Sequence, residues 1–259
     1  MPAAYYEDLG EGRFAPTGAA VGPWDARFCH GSPPAALLVH AIERAFPRPD
    51  ARLARVAFDF LGPVPVAPCA IRAEVVRPGE RIELARAELA VGGRVAMQAT
   101  AWRIAASPGR APEVRDLRPA PTLPGPQPRP TFGDVASFGY GESLELRFVE
   151  GAFETLGPAT VFARPRLPLL AGVALSPLAR LLLLVDSANG VSAVLPPSRF
   201  TFVPVELTVS LHRLPRTEWV GMRAETVVDS GGVGQTRADL FDEEGYVGTA
   251  SQSLFVAPR

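Results

Sequence analysis

From Val203 to Leu211 every second residue is apolar: Val203, Val205, Leu207, Val209 and Leu211, with Glu206, Thr208 and Ser210 between them. Successive side chains of a strand point to opposite faces, so this period of two predicts a strand with one buried and one solvated face. Apolar stretches of strand length recur near Trp219–Asp229, Gly234–Asp242 and Val247–Val256, and earlier near Leu53–Leu61, Ala70–Pro78, Ile82–Val91 and Arg94–Ala105. Two stretches carry helical spacing instead. Leu37, Leu38, Ala41, Ile42 and Ala45 predict a helix over Pro33–Phe46, and Leu178–Val185 predicts one over Pro177–Ala188, stopped by Asn189-Gly190. Each is preceded by a Ser-Pro pair, Ser32-Pro33 and Ser176-Pro177, a serine N-cap followed by proline at the first helical position.

The order, one helix then several strands, occurs twice. Arg86-Ala87-Glu88-Leu89 matches Arg237-Ala238-Asp239-Leu240 at an offset of 151, Gly93-Arg94-Val95 matches Gly245-Tyr246-Val247 at 152, and Leu61–Pro65 matches Leu211–Pro215 at 150. A shared order at a nearly constant offset points to a diverged duplication. Between the copies, residues 106–130 are loaded with proline and arginine and read as an extended connector. The expected domains are therefore 1–105 and 131–259. Long antiparallel strands around a helix that is apolar nearly all round give an α+β layout, a tandem hot-dog of two antiparallel sheets, each wrapped around its central helix.

Composition narrows the function. Of 259 residues 47% are hydrophobic, enough for a substantial core, and the net charge of −1 argues against binding nucleic acid by general basicity. All 26 basic residues are arginine. The N-terminus shows no signal-peptide pattern, and the apolar run Leu181–Val185 is far shorter than the roughly 20 residues a membrane span needs. A cytoplasmic protein is expected. Cys29 and Cys69 read as small core residues, and the three histidines lack metal spacing. No GxSxG elbow, phosphate loop or dinucleotide-binding glycine turn is present.

Asp186 is the most informative polar residue. It follows Leu-Leu-Leu-Leu-Val near a helix C-terminus, where both burial and the macrodipole oppose a negative charge, so its pKa should rise. It reads as a general base or nucleophile, or else as a cap for the Asp-Ser-Ala-Asn-Gly turn. Gln252, in the last strand, could hold a water or polarise a carbonyl without titrating, or simply face outward. Glu206 sits on the polar face of the alternating strand and is solvated unless Asp186 lies near. His30-Gly31-Ser32 precedes the first helix, where backbone N–H groups could meet an oxyanion and His30 could donate to a carbonyl or pyrophosphate; the plainer reading is capping by Ser32. Trp24 is a pocket wall or ordinary core.

Together these segments resemble a family. Trp24 and His30-Gly31-Ser32-Pro33-Pro34-Ala35-Ala36-Leu37-Leu38 are similar to the HGGPPAALL segment of bacterial thioesterase-like proteins, and Asp186–Gly190, Glu206–Arg213 and Glu218–Gly221 resemble later segments of the same proteins. These are of the acyl-CoA thioesterase II type, a double hot-dog. The resemblance implies hydrolysis of an acyl-CoA to free acid and CoA. It implies Asp186 and a last-strand glutamine as catalytic residues, the latter at Gln252 with one residue of slack and at Ser253 without it. The family's threonine position falls on Pro204 and its second glycine on Ser32. The expected mechanism is water activated by Asp186 with Gln252, the oxyanion meeting backbone N–H groups at the Gly31-Ser32 helix start, and no cofactor beyond the CoA of the substrate. A non-catalytic acyl-CoA binding protein on the same fold is the alternative; two hot-dogs in one chain already supply the pairing that single ones get by dimerising, and a further homodimer of double hot-dogs is an open option.

Overall fold

Where the chain alternates, it pairs. The computed structural model describes residues 2–107, 109–114, 116, 118–132 and 137–259. Pro108, Arg115 and Leu117 of the expected connector, and residues 133–136 of the expected second domain, lie outside them. Twelve strands form one antiparallel sheet: β1 (Tyr6–Gly10), β2 (Arg13–Pro16), β3 (Ala51–Phe60), β4 (Cys69–Arg77), β5 (Ile82–Val91), β6 (Arg94–Ala105), β7 (Leu144–Ala152), β8 (Thr155–Pro165), β9 (Phe200–Leu211), β10 (Val220–Val228), β11 (Val233–Asp242) and β12 (Gly245–Pro258). Four helices accompany them: α1 (Ser32–Ala45), α2 (Gly139–Glu142), α3 (Pro177–Val185) and α4 (Ala188–Val191). The described residues from Ser107 to Pro130 form no helix or strand, and no described helix is long and apolar enough to cross a membrane.

The sheet order is β1-β2-β4-β5-β6-β3-β9-β12-β11-β10-β8-β7. Replace each strand of one half by its counterpart in the other and the order reads the same from both ends. The halves join where β3 runs antiparallel to β9, with Ala57 opposite Thr208 at the centre of the register. The expectation of two separate sheets is thereby corrected. Both joining strands carry alternating faces, so their free edges pair and leave one continuous ladder.

The helices are as apolar as the pattern demanded. Ser32 to Val39 and Ile42 of α1 are buried, as are Leu178, Ala179 and Leu181–Val185 of α3. α1 packs on β4, β5 and β6, α3 on β8 and β10, and the two helices pack on each other. Having sheet on one side and a helix on the other, neither keeps a polar face over most of its length.

The two helices start differently. Ser176 is an N-cap, its hydroxyl accepting from Ala179 N–H at 3.1 Å. Ser32 is instead the first helical residue, and Gly31 caps α1 with no side-chain bond. Asn189-Gly190 does not stop α3. The helix ends at Val185 with Asp186 as C-cap, and the dipeptide sits inside α4. Leu182 is fully buried in α3. Replacing it by Ala should destabilise the fold by about 3 kcal/mol, read as a lower urea midpoint with unchanged slope.

Candidate active site

Asp186 is held by groups from both halves of the chain. It is 4% exposed. Gln252 Nε2 donates to its Oδ1 at 3.1 Å and to its backbone oxygen at 3.2 Å, and Gly31 N–H donates to the carboxyl. His30 Nδ1 lies 3.3 Å from Oδ2. Burial raises the Asp186 pKa to about 7, against the lowering effect of the Gln252 and Gly31 hydrogen bonds. Burial also lowers the His30 pKa to about 3. The histidine is therefore neutral near pH 7, and its contact with Asp186 is no ion pair. Ser32 N–H donates to His30 Nδ1 at 3.1 Å, a bond that assigns the ring proton to Nε2. Ionised Asp186 then faces a lone pair at Nδ1, a further reason for the carboxyl to keep its proton.

Gln252 reaches inward because of local strand geometry. It pairs with Leu207 of β9 and Thr236 of β11 and is 1% exposed. Its Oε1 accepts from Asn189 N–H at 3.2 Å, and Asn189 Nδ2 donates to the Phe202 oxygen at 3.0 Å. The amide is thus committed at both ends and orients the carboxyl. One residue on, Ser253 is exposed and donates to Glu206 Oε1 at 3.0 Å on the other face. The register shifts there: Ser253 faces Glu206 and Leu254 faces Pro204, leaving Val205 unpaired. This bulge lets Pro204, which has no N–H, sit in a central strand. Glu206 and Ser253 thus lie away from Asp186, as the period of two requires.

Gly31 and Ser32 also differ from expectation. Gly31 N–H is used by Asp186, Ser32 N–H by His30, and Pro33 and Pro34 have none. The start of α1 has no spare N–H there for an oxyanion. Glycine at 31 is a steric need: a Cβ would lie 2.6 Å from Asp186 Oδ2 and 2.7 Å from the Phe60 ring.

His30 stacks on Tyr140 of α2, with ring centroids 3.8 Å apart and planes at 12°. The Tyr140 hydroxyl donates to the Leu183 oxygen at 2.7 Å and bonds Ser187 Oγ at 2.6 Å, and it lies 3.2 Å from Ser32 Oγ. Burial raises its pKa, so it stays a phenol. Tyr140 fixes His30 from behind, and nothing in the sequence marked it; it lies in no periodic segment. Asn189 was in view, but only as a helix stop.

Two cavities meet at Trp24 and His30. One, of about 380 Å³, is lined by Asp186, Gly31, Phe60, Cys29, Val203 and Pro204 among others. The other, of about 90 Å³, is apolar and lies against Tyr140. Trp24 stands edge-on to Phe202, centroids 5.1 Å apart. Burial pushes the Cys29 thiol up to about 12, too high for a thiolate nucleophile at neutral pH. The arrangement offers a buried base of near-neutral pKa and a neutral imidazole beside a cleft.

Residues 20–104 match the family profile described as acyl-CoA thioesterase N-terminal domain, and residues 114–256 that of the acyl-CoA thioesterase C-terminal domain. The chain belongs to the acyl-CoA thioesterase family. As such it is a thioester hydrolase. Among solved structures it is similar to the acyl-CoA thioesterase II TesB2 of Mycobacterium marinum, with a TM-score of 0.71, 17% identity, and coverage of 98% of this chain and 95% of that one. It is also similar to a hot-dog-fold protein from Alicyclobacillus acidocaldarius, with a TM-score of 0.72, 18% identity, and coverage of 96% and 95%. At these identities the likeness is one of fold. No curated protein sequence matches the chain.

For this thioesterase the raised Asp186 pKa has a stability consequence. Below about pH 4 the carboxyl is protonated in both folded and unfolded states and costs nothing. Between about 4 and 7 the folded state keeps a proton that the unfolded state has released, so stability falls as pH rises and stays reduced above 7. Asp186→Asn should therefore gain stability over the parent from pH 4 to 8, by up to about 4 kcal/mol. Melting temperatures across that range check it; an equal difference at pH 4 and pH 8 would be contrary. Gly31→Ala, by forcing Asp186 and Phe60 aside, should lower stability by about 1–3 kcal/mol and cut turnover more than tenfold. Denaturant titration and thiol release measure the two effects.

Proposed function

We propose that the protein hydrolyses acyl-CoA thioesters at the cleft beside Asp186, which acts as general base. The observation that carries this reading is a nearly inaccessible carboxyl with a pKa near 7, bonded by Gln252 and Gly31 at the wall of a cavity. A base poised at the working pH combines a usable ionised fraction with enough basicity to accept a proton.

Ionised Asp186 takes a proton from water as the water oxygen attacks the thioester carbonyl. Gln252 keeps the carboxylate in one orientation and, both its ends being occupied, does not itself hold the water. His30 supplies the donor that the α1 start lacks: its Nε2–H has no partner among the described residues and its ring lines the cleft. It would stabilise the carbonyl oxygen as charge develops. The tetrahedral intermediate expels CoA as thiolate, Asp186 returns the proton to sulfur, and the free acid leaves. Pro204, where the resemblance put a threonine, lines the cleft and lends shape without a hydroxyl. No cofactor enters this scheme. The two matched segments, 20–104 and 114–256, make natural domains of a double hot-dog, each with its own central helix.

Asp186→Asn should lower kcat for acyl-CoA hydrolysis by about a thousandfold while the protein still binds acyl-CoA. In the parent, kcat should rise with slope one on a logarithmic plot up to about pH 7 and then level, since the ionised form is the active one. Thiol release from a panel of acyl-CoAs measures both. Undiminished turnover in the variant removes Asp186 from the mechanism. Binding without release at any chain length would leave a carrier in place of an enzyme.

A further inference from the structure

Behind His30 the 90 Å³ cavity is walled by Trp24, Phe138, Tyr140, Phe153, Val191 and Phe202, with no carboxylate or guanidinium among the described residues of its lining. A dry apolar cavity of about 150 Å³ holds one benzene ring, so this smaller space admits an acyl chain of roughly four carbons and no ring. Its aromatic wall has little give. Phe132, which also lines it, packs on Phe138 and Phe153 with centroids 4.7 and 4.8 Å apart. Both Phe132 and Phe138 lie on the backbone of Gly141, where a Cβ would come within 2.5 and 2.9 Å of their rings. Close-packed rings seated on a backbone cannot recede for a long chain without losing those contacts. Gly190 is the opposite case. It lines the same cavity, and a Cβ there would meet nothing within 4 Å.

We propose that the acyl group taken by this site is compact, a short branched chain rather than a ring or a long fatty chain, and that Gly190 sets its size limit. The inference rests on the thioesterase reading. With the thioester beside Asp186 and His30, the acyl group enters the aromatic cavity and the CoA arm leaves through the larger cleft. The neutral Nε2–H of His30 sits at the junction of the two spaces, where the carbonyl must lie. A side chain at position 190 would project into the acyl space without disturbing the hydrogen bond from its N–H to the Ser187 oxygen.

The test is thiol release by the full chain from acetyl-, isovaleryl-, phenylacetyl-, decanoyl- and palmitoyl-CoA, with Gly190→Ala and Gly190→Leu run beside the parent. The parent should favour isovaleryl-CoA over phenylacetyl-CoA and the two long chains by about tenfold or more in kcat/KM. Gly190→Leu should lose about tenfold on isovaleryl-CoA and much less on acetyl-CoA, with Gly190→Ala between the two. A parent that prefers phenylacetyl-, decanoyl- or palmitoyl-CoA overturns the proposal and leaves the thioesterase reading standing. So does a loss in Gly190→Leu that is uniform across the panel. If none of the five is cleaved, the thioesterase reading fails. Binding of non-hydrolysable thioether analogues of the same acyl groups then decides the cavity's preference, and equal binding of short and long groups overturns it.

Discussion

The candidate site depends on keeping one carboxyl away from water without pairing it to a cation. Asp186 caps a helix that is apolar but for Arg180, and its bonding partners come from both ends of the chain. Gly31 belongs to the first half and Gln252 to the last strand. Neither half alone encloses it. The β3–β9 union and the α1–α3 contact are therefore more than packing, because they bring His30 and Gly31 against the C-terminus of α3. If that contact loosens, water reaches the carboxyl and its pKa falls toward the ordinary carboxylate range.

Much of the fold was legible, for a definite reason. Strands β5 and β6 fall on the residues expected, because glycines mark the turn between them and their apolar residues recur at short intervals. The strands β1, β2, β7 and β8 were not anticipated. They lie at the two ends of the sheet, and β7 and β8 come after the proline-rich stretch and α2. The break after Val185 was missed too. Asn-Gly is a good helix stop, but burial of the Gln252 amide under Asn189 N–H turned the dipeptide into part of a second helical turn.

The site shows the same division. Asp186 stood out because a charge at the end of an apolar helix has no cheap structural explanation. Gln252 could be named only to within one residue, since the family resemblance fell between it and Ser253; the alternation of Ala250, Gln252, Leu254 and Val256 turns it inward. Glu206, beside the bulge on β9, is half-buried, accepts from Ser253 and Thr208, and lies away from Asp186. The role of Gly31 changed from lending its N–H to substrate to lending it to Asp186. Tyr140 was invisible, as a residue that acts by stacking on one ring and bonding across two helices leaves no period behind.

The palindromic sheet has one more implication. Setting the two Ser-Pro pairs against each other places Ile42 of α1 where α3 has Asp186, and the strand offsets place Ala101 where β12 has Gln252. Both counterparts are fully buried. In the first half that location holds two buried apolar residues, and α1 runs on unbroken through it to Ala45. The chain thus holds two copies of one scaffold and a single Asp186–Gln252 pair. In an assembly of any size, the number of such pairs counts chains and not folds.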